Sequence, residues 1–363
     1  MQPSTATLTQ KELFKILYLG RDEFSCVVLE ELHKATDVWQ ELAIVTTPDV
    51  KVGRRGSKLA VSPLKVLGEH LNLPVHFIPP GKAGVLKTWQ PPSPFAEPES
   101  PPASHVIITA SFGHILPKRI LELFLPSRRL NVHPSLLPEY RGAAPIQHTI
   151  MDGLKETGVS VVEMLERSKG IDAGALWGQK RVAIPEGATY SELRDITAEE
   201  GGKLLVSVLR DMIDGKAASR PQTDNAISPR SPMITPEDAL VDFDTMTAEQ
   251  IARRSRAFSH QRPLITALKN QRHLQLHGAS TPHTSQADVL KQLPVPGTAI
   301  YDRAADALLI RCASDTVLAV SEVKQQDRTL LKAREWWNGV RPDLRVQAGA
   351  EGPVQFLRPV VAQ

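Results

Sequence analysis

The sequence predicts an α/β chain in which a mostly parallel, doubly wound sheet is followed by a small β-barrel. Three observations carry this reading. Apolar strand-like runs alternate with helical spacings up to residue 215, a polar proline-punctuated stretch follows, and several short strand patterns with turn signals come after it. A length of 363 residues suits about two domains at ~100–200 residues each. The expected organisation is a tail over 1–13, an α/β domain over 14–215, a linker over 216–235 and a barrel domain over 236–363.

The elements follow in order. Phe14–Gly20 is an apolar run ending in glycine, the pattern of a buried strand entering a βα turn. Residues 22–34 space Phe24, Val27, Val28, Leu29 and Leu32 as a helix does. Leu42–Thr47, Val75–Ile78, His105–Ala110 and Leu130–His133 are further strands. The helix over 62–72 carries Pro63 in its first turn, where a missing N–H costs little. Between the third and fourth of these strands lies an insertion, 79–104, in which eight prolines preclude a helix and predict an extended or disordered surface segment. Gly158–Leu165 and Leu176–Ile184 pattern as two more strands, an antiparallel pair, and 189–214 as one long helix. The later segment offers a capped helix at 247–258, strands at Leu264–Leu268, His273–His277, Thr298–Tyr301, Ala307–Cys312 and Val317–Val323, and a helix at Leu330–Trp337.

Composition excludes several classes. Hydrophobic residues at 41% and charged residues at 23% are those of a globular chain, not a disordered one. No run approaches the ~20 apolar residues of a membrane span. Cys26 and Cys312 lie far apart without metal-type spacing, so reduced thiols are expected and no metal site. Net charge is only +3, so any polyanion site must come from local clustering.

The densest chemical signal is Leu130-Asn-Val-His-Pro-Ser-Leu-Leu-Pro-Glu-Tyr-Arg-Gly-Ala-Ala-Pro145. One residue separates Asn131 from His133, which puts both side chains on one face of a strand. Pro134 stops that strand, so the pair stands at its carboxyl end, where open α/β sheets bind ligands. An amide and an imidazole there can donate to a carbonyl oxygen that becomes negative. By spacing alone, a satisfied polar pair at a strand end is the more common reading.

The longer context, Ser135–Gly142 with Thr157–Ser160 and Gly170-Ile-Asp-Ala-Gly174, resembles the 10-formyltetrahydrofolate-dependent formyltransferase family. The likeness runs from about residue 14 to 215, the insertion excepted. It implies a Rossmann-like formyltransferase fold with Asn131, His133 and Asp172 as catalytic residues. It also implies 10-formyltetrahydrofolate as formyl donor in a slot walled by Phe112, Gly113, Ile115, Leu116, Ser135, Leu136, Leu137 and Pro138. Lys51, Arg54, Arg55 and Lys58, in a glycine-flanked loop ahead of Ser62-Pro-Leu-Lys65, resemble the basic loop of those members that act on initiator methionyl-tRNA. Val241–Phe243 and Ala248–Phe258 resemble the start of their OB-like tRNA-binding domain, with Arg253, Arg254 and Arg256 as candidate phosphate contacts. Lys324, Arg328, Lys332 and Arg334 form a second basic group.

Under that resemblance Asn131 holds the formyl oxygen, His133 adds a charged donor, and Asp172 favours the charged imidazole and helps move the proton. Departures from the family pattern are the first turn Gly20-Arg-Asp-Glu-Phe24, the proline-rich insertion in place of a helix, and Met233 where a Lys is common. The insertion and the first turn resemble eukaryotic, in particular fungal, members, which work in mitochondria or plastids, so a mitochondrial location is expected despite a poor transit peptide; a monomer is the default state. Open alternatives are a small acceptor such as glycinamide ribonucleotide or an amino sugar, hydrolysis of the formyl donor, and an RNA-binding protein with a degenerate transferase domain. No G-x-G-x-x-G follows the first strand, which removes the dinucleotide signal.

Overall fold

The computed structural model describes residues 12–53, 57–81, 85–96, 99–223, 228–282, 287–347 and 352–359. Two compact units emerge: one of residues 1–145, 155–185 and 191–232, the other of 146–154, 186–190 and 233–363.

The chain order begins β1 (Phe14–Leu19), α1 (Glu23–Lys34), β2 (Trp39–Thr46), β3 (Val50–Val52), β4 (Lys58–Ala60), α2 (Pro63–His70) and β5 (Val75–Phe77). It continues β6 (His105–Ala110), α3 (Lys118–Leu121), β7 (Arg129–His133), β8 (Arg141–Gly142), α4 (Pro145–Asp152), β9 (Glu156–Glu163), β10 (Leu176–Ala183), α5 (Tyr190–Ile213) and β11 (Arg230–Ser231). The main sheet of the first unit runs β10-β9-β7-β6-β1-β2-β5. The pairs β7–β6, β6–β1, β1–β2 and β2–β5 are parallel, while β9 is antiparallel to β7 and β10 to β9. β6 is buried along its whole length, as a strand covered on both faces must be, and this explains its unbroken apolar run. Asp22 caps α1 by accepting the Ser25 N–H at 3.2 Å.

The proline-rich insertion corrects the surface reading. Leu86, Trp89 and Phe95 are buried and join Leu17, Leu19, Val45, Ile107, Phe112, Leu116 and Phe124 in one core cluster. Phe95 stacks on Phe124 with centroids 5.9 Å apart. Arg119 holds the segment by donating to the carbonyls of Leu86, Lys87 and Trp89. Proline forbids the helix but not burial of the large apolar residues between prolines, so the segment covers the sheet as an irregular plug. The stretch expected to link the domains is likewise bonded into the first unit: Arg220 exchanges backbone hydrogen bonds with Leu176, and β11 pairs in parallel with β8.

The second unit contains α6 (Ala248–Phe258), β12 (Leu264–Leu268), β13 (His273–Ser280), α7 (Ala287–Leu290), β14 (Thr298–Asp302), β15 (Ala307–Cys312), β16 (Thr316–Gln325), β17 (Leu330–Lys332), α8 (Ala333–Asn338) and β18 (Val354–Leu357). Thr247 and Gln250 form a reciprocal capping box on α6. The strands run β13-β12-β18-β14-β15-β16, and β13 pairs again with β16, which closes a six-stranded barrel. Two sequence expectations change here. Leu330–Lys332 is not helical: it pairs with Glu322–Lys324 of β16, and the helix begins at Ala333. The residues after Gly339, which carried no readable pattern, supply β18, the strand between β12 and β14.

Trp89 tests the plug. Trp89→Ala should lower unfolding stability by about 3–5 kcal/mol, the usual cost of an aromatic-to-alanine cavity, read from urea denaturation. A change below about 0.5 kcal/mol, as at ordinary surface positions, would return the insertion to the surface.

Candidate active site

Asn131 and His133 project from the same face of β7 at its carboxyl end, and Asp172 reaches them from the turn between β9 and β10. Asn131 Nδ2 donates to Asp172 Oδ1 at 3.3 Å, and His133 Nδ1 lies 3.6 Å from Asp172 Oδ2. The Gly142 N–H donates to that same Oδ2 at 3.1 Å. The carboxylate therefore takes two donated bonds and faces the imidazole.

The neighbours fix how the groups point. Thr109 lies opposite Asn131 on β6, and its hydroxyl donates to Asn131 Oδ1 at 2.7 Å. The Asp172 carboxylate only accepts, so the amide turns its NH₂ toward Asp172 and its oxygen toward the Thr109 hydroxyl. His133 is 4% exposed, and its Nε2 sits 2.9 Å from the Tyr140 carbonyl, which only accepts. Nε2 therefore carries hydrogen, and the Nδ1 edge is the one turned to the carboxylate. Ser231 donates to the same Tyr140 carbonyl at 2.7 Å. Asp172 has φ of 54°, a left-handed conformation that Asp tolerates better than most residues. Gly142 has φ of +128°, and a Cβ there would stand 2.5 Å from the Ser231 carbonyl oxygen, so only glycine fits under the strap.

The residues expected to wall a flat ligand divide. Phe112, Leu116, Ser135 and Leu137 are buried in the protein body, whereas Ile115 is exposed and Leu136 and Pro138 are partly so. The Ser135–Pro138 turn hangs on Ser160 of β9, whose hydroxyl donates to the Ser135 carbonyl at 2.6 Å and accepts from the Leu137 N–H at 3.2 Å and from Gln179 Nε2 at 3.0 Å. Next to Phe112, burial and then the charge of Arg21 hold the His114 imidazole below its ordinary range. Burial, with the charges of Asp22 and Glu23, pushes the Cys26 thiol up to about 12. Burial does the same to Cys312, so neither is a thiolate near neutral pH.

The basic candidates also divide. Lys51 and Lys58 are exposed on an antiparallel hairpin, β3–β4, where a loop was expected; Arg54 and Arg55 lie outside the described residues. On α6 the cations are engaged: Arg254 Nη1 donates to the Asp238 carbonyl at 2.8 Å, Arg256 Nη2 is 3.2 Å from Glu249, and Arg253 Nε is 4.0 Å from it. Arg253 and Arg254 line a cleft of about 370 Å³ with Asp152, Met246 and Gln250. Lys324, Arg328, Lys332 and Arg334 are exposed.

Sequence reasoning missed Thr109, Ser160 and Gln222. Thr109 had a signal, a hydroxyl near the end of an apolar run facing the candidate strand. Gln222 had none: it sits in a polar stretch, and its Nε2 donates to the carbonyls of Asp172 and Gly174 at 2.7 and 2.8 Å, about fifty residues away.

Comparison with known proteins shows the family. Residues 14–209 match the family model described as formyl transferase, and 233–341 match the formyl transferase C-terminal domain. A methionyl-tRNA formyltransferase of Staphylococcus epidermidis is 31% identical over 91% of this chain and 97% of its own length. One from Enterococcus faecalis is 33% identical over 90% and 96%. The mitochondrial methionyl-tRNA formyltransferase of Rattus norvegicus is 28% identical over 92% and 80%. Among solved structures, a sugar 3N-formyl transferase shares the fold with TM-score 0.57 and 16% identity, covering 88% of this chain and 100% of that one.

Ser160 tests how the turn beyond His133 is held. Ser160→Ala leaves a buried N–H and carbonyl without their partner and should cost about 1–3 kcal/mol of stability, measured by chemical denaturation; no loss would mean the turn stands without it.

Proposed function

Because the chain belongs to the formyl transferase family, we propose that it transfers the formyl group of 10-formyltetrahydrofolate to the α-amine of an initiator methionyl-tRNA, for translation initiation in mitochondria. The observation that carries the chemistry is the convergence of Asn131, His133 and Asp172 at the carboxyl end of β7, with the Asn131 amide turned by Thr109. The tRNA acceptor is supported by relatives of that name along nearly the whole chain, and the mitochondrial setting by the rat relative.

The amine nitrogen attacks the formyl carbon, giving a tetrahedral carbon and an oxyanion. Asn131 Nδ2 has two N–H bonds; one goes to Asp172, and the other holds the formyl oxygen. His133 has given Nε2–H to the Tyr140 carbonyl, so its contribution runs through a proton on Nδ1, shared with Asp172. Asp172 accepts the proton released by the amine, directly or through water. Collapse of the intermediate breaks the bond from carbon to N10. The proton passes to N10, and tetrahydrofolate leaves. Ile115, Leu136 and Pro138 offer apolar edges for the pterin, with backbone groups of Gly113 and the Ser135–Pro138 turn as hydrogen-bonding partners. The exposed Lys51 and Lys58 on the β3–β4 hairpin serve the acceptor's phosphates, as do the α6 arginines, of which Arg253 and Arg254 line the cleft.

The deciding assay offers labelled 10-formyltetrahydrofolate to charged initiator tRNA and to glycinamide ribonucleotide in parallel. Label on the tRNA alone supports the reading; label on the small amine alone, or free formate with neither acceptor, overturns it. Asn131→Ala should lower kcat by ~10²–10³, the cost of one oxyanion donor, and Asp172→Asn should collapse turnover while the protein still folds; near-normal turnover in either removes it from the mechanism. For the tRNA contact, Lys51→Ala and Lys58→Ala should each weaken tRNA binding and flatten its log–log salt dependence by about 0.7–0.9 while the KM for the folate stays put. An unchanged slope would exclude a phosphate contact.

A further inference from the structure

Gln222 stands in the stretch after α5, within the first unit, and all four of its amide's hydrogen-bonding positions are committed beside the active site. Its two N–H bonds go to the carbonyls of Asp172 and Gly174 at 2.7 and 2.8 Å. Its oxygen accepts from Arg141 Nε at 3.0 Å and Nη2 at 2.7 Å. This assignment has no ambiguity: carbonyls only accept and a guanidinium only donates, so the amide can face one way. Arg141 is 5% exposed and precedes Gly142, whose N–H holds the Asp172 carboxylate at 3.1 Å. Asp172 is thus gripped at two points. Its carboxylate is held by Gly142, and its carbonyl is tied through Gln222 to Arg141, the residue before Gly142.

We propose that Gln222, with Arg141, is a positioning pair that fixes Asp172 against Asn131 and His133. The geometry explains why a clamp is needed. Asp172 is held at φ of 54°, a conformation that costs a non-glycine residue energy and persists only where its surroundings enforce it. At Gly174 a Cβ would stand 2.0 Å from the Glu163 carbonyl oxygen, so the turn is pressed against β9 on its other side. Between those constraints the Asp172 carboxylate has one place to go, the place where it meets Asn131 Nδ2 and His133 Nδ1. A second tie acts on the partner side: Ser231 and His133 share the Tyr140 carbonyl, and the Ala144 N–H donates to the Ser231 carbonyl at 3.1 Å. The chain after α5 therefore straps both ends of the catalytic loop.

The inference rests on the transfer reaction proposed above, so its test has one arm that needs turnover and one that does not. Gln222→Ala removes all four bonds. Gln222→Glu keeps an acceptor for Arg141 and loses both bonds donated to the Asp172 turn, with side-chain volume almost unchanged, which guards against simple misfolding. Both variants should lose kcat by about 10²-fold, as for a displacement near 1 Å at the reacting groups, with the KM for the folate and for the tRNA changed by less than about threefold. Without substrate, deuterium exchange at the Gly142 amide should accelerate by about tenfold or more, while amides of β9 keep their rates. Unchanged Gly142 exchange overturns the clamp. Faster exchange with normal kcat overturns its role in positioning. Wild-type kcat in Gln222→Glu alone overturns the role of the donated bonds. If the wild-type protein formylates no tRNA, the functional reading fails, and the Gly142 exchange decides the clamp on its own.

Discussion

The carboxylate of Asp172 is the point on which the rest of the site depends. It is mostly enclosed, with 13% of its side chain exposed, and an enclosed charge is tolerated only where hydrogen bonds or an opposite charge meet it. Donors arrive from separate stretches of chain: Asn131 from the end of β7 and the Gly142 amide from the turn that follows, while the His133 ring faces the same oxygen. Each partner is delivered by a different part of the fold. The parallel sheet sets Asn131 beside Thr109, the antiparallel β9–β10 pair carries the Asp172 turn, and the strand pair β8–β11 pins the loop between His133 and Gly142. Removing any of these leaves a carboxylate with too few partners, so stability and chemistry press on the same atoms.

The strands of the main sheet were legible in the sequence because burial on both faces leaves an unbroken apolar run, as in Phe14–Leu19 and His105–Ala110. The barrel was legible for a different reason, since several short strand patterns come separated by turn signals. The failures share a cause. Val354–Leu357 is four residues long and gains its strand character from β12 and β14, not from its own composition. Leu330–Lys332 has the residues of a helix start but is recruited as a strand by β16. In the insertion, where the described residues hold only the short 3₁₀ turn Val85–Lys87, proline content said nothing about where Leu86, Trp89 and Phe95 would pack. α4, which begins at Pro145 directly after the loop, was not anticipated. Tertiary partners, invisible along the chain, decided each case.

The site shows the same division. A two-residue period put Asn131 and His133 on one face, and a family likeness supplied Asp172, because no local rule links residues forty positions apart. Thr109 could have been found by asking which residue of the neighbouring strand lies opposite Asn131. Gln222 could not, since its neighbours are turn and linker residues with no periodicity to read. The α6 arginines show what a charge count along the chain leaves out. Arg253, Arg254 and Arg256 read as a cationic cluster along the chain, yet two of them face Glu249 and the third donates to a backbone carbonyl. A cluster in sequence is a count of charges; what matters to a phosphate is how many remain uncommitted after the fold has used its own.

Under the proposed transfer, a donor count argues for the order of events at the centre. Thr109 takes the Asn131 oxygen, Asp172 takes one of its N–H bonds, and Tyr140 takes His133 Nε2. What the protein has not already used on this face is one amide N–H and the Nδ1 edge of the ring, both beside the same carboxylate. A neutral carbonyl entering there meets a single strong donor, the amide. As the carbonyl oxygen gains negative charge, a hydrogen on Nδ1 would give it a second donor, set between it and Asp172. The arrangement therefore favours the tetrahedral state over the incoming carbonyl, since the second donor matters most when the charge has formed. Fixing the amide and the ring before substrate arrives means that little reorganisation is left for the reacting moment, and the bonds that fix them are those of Thr109, Tyr140 and the strap.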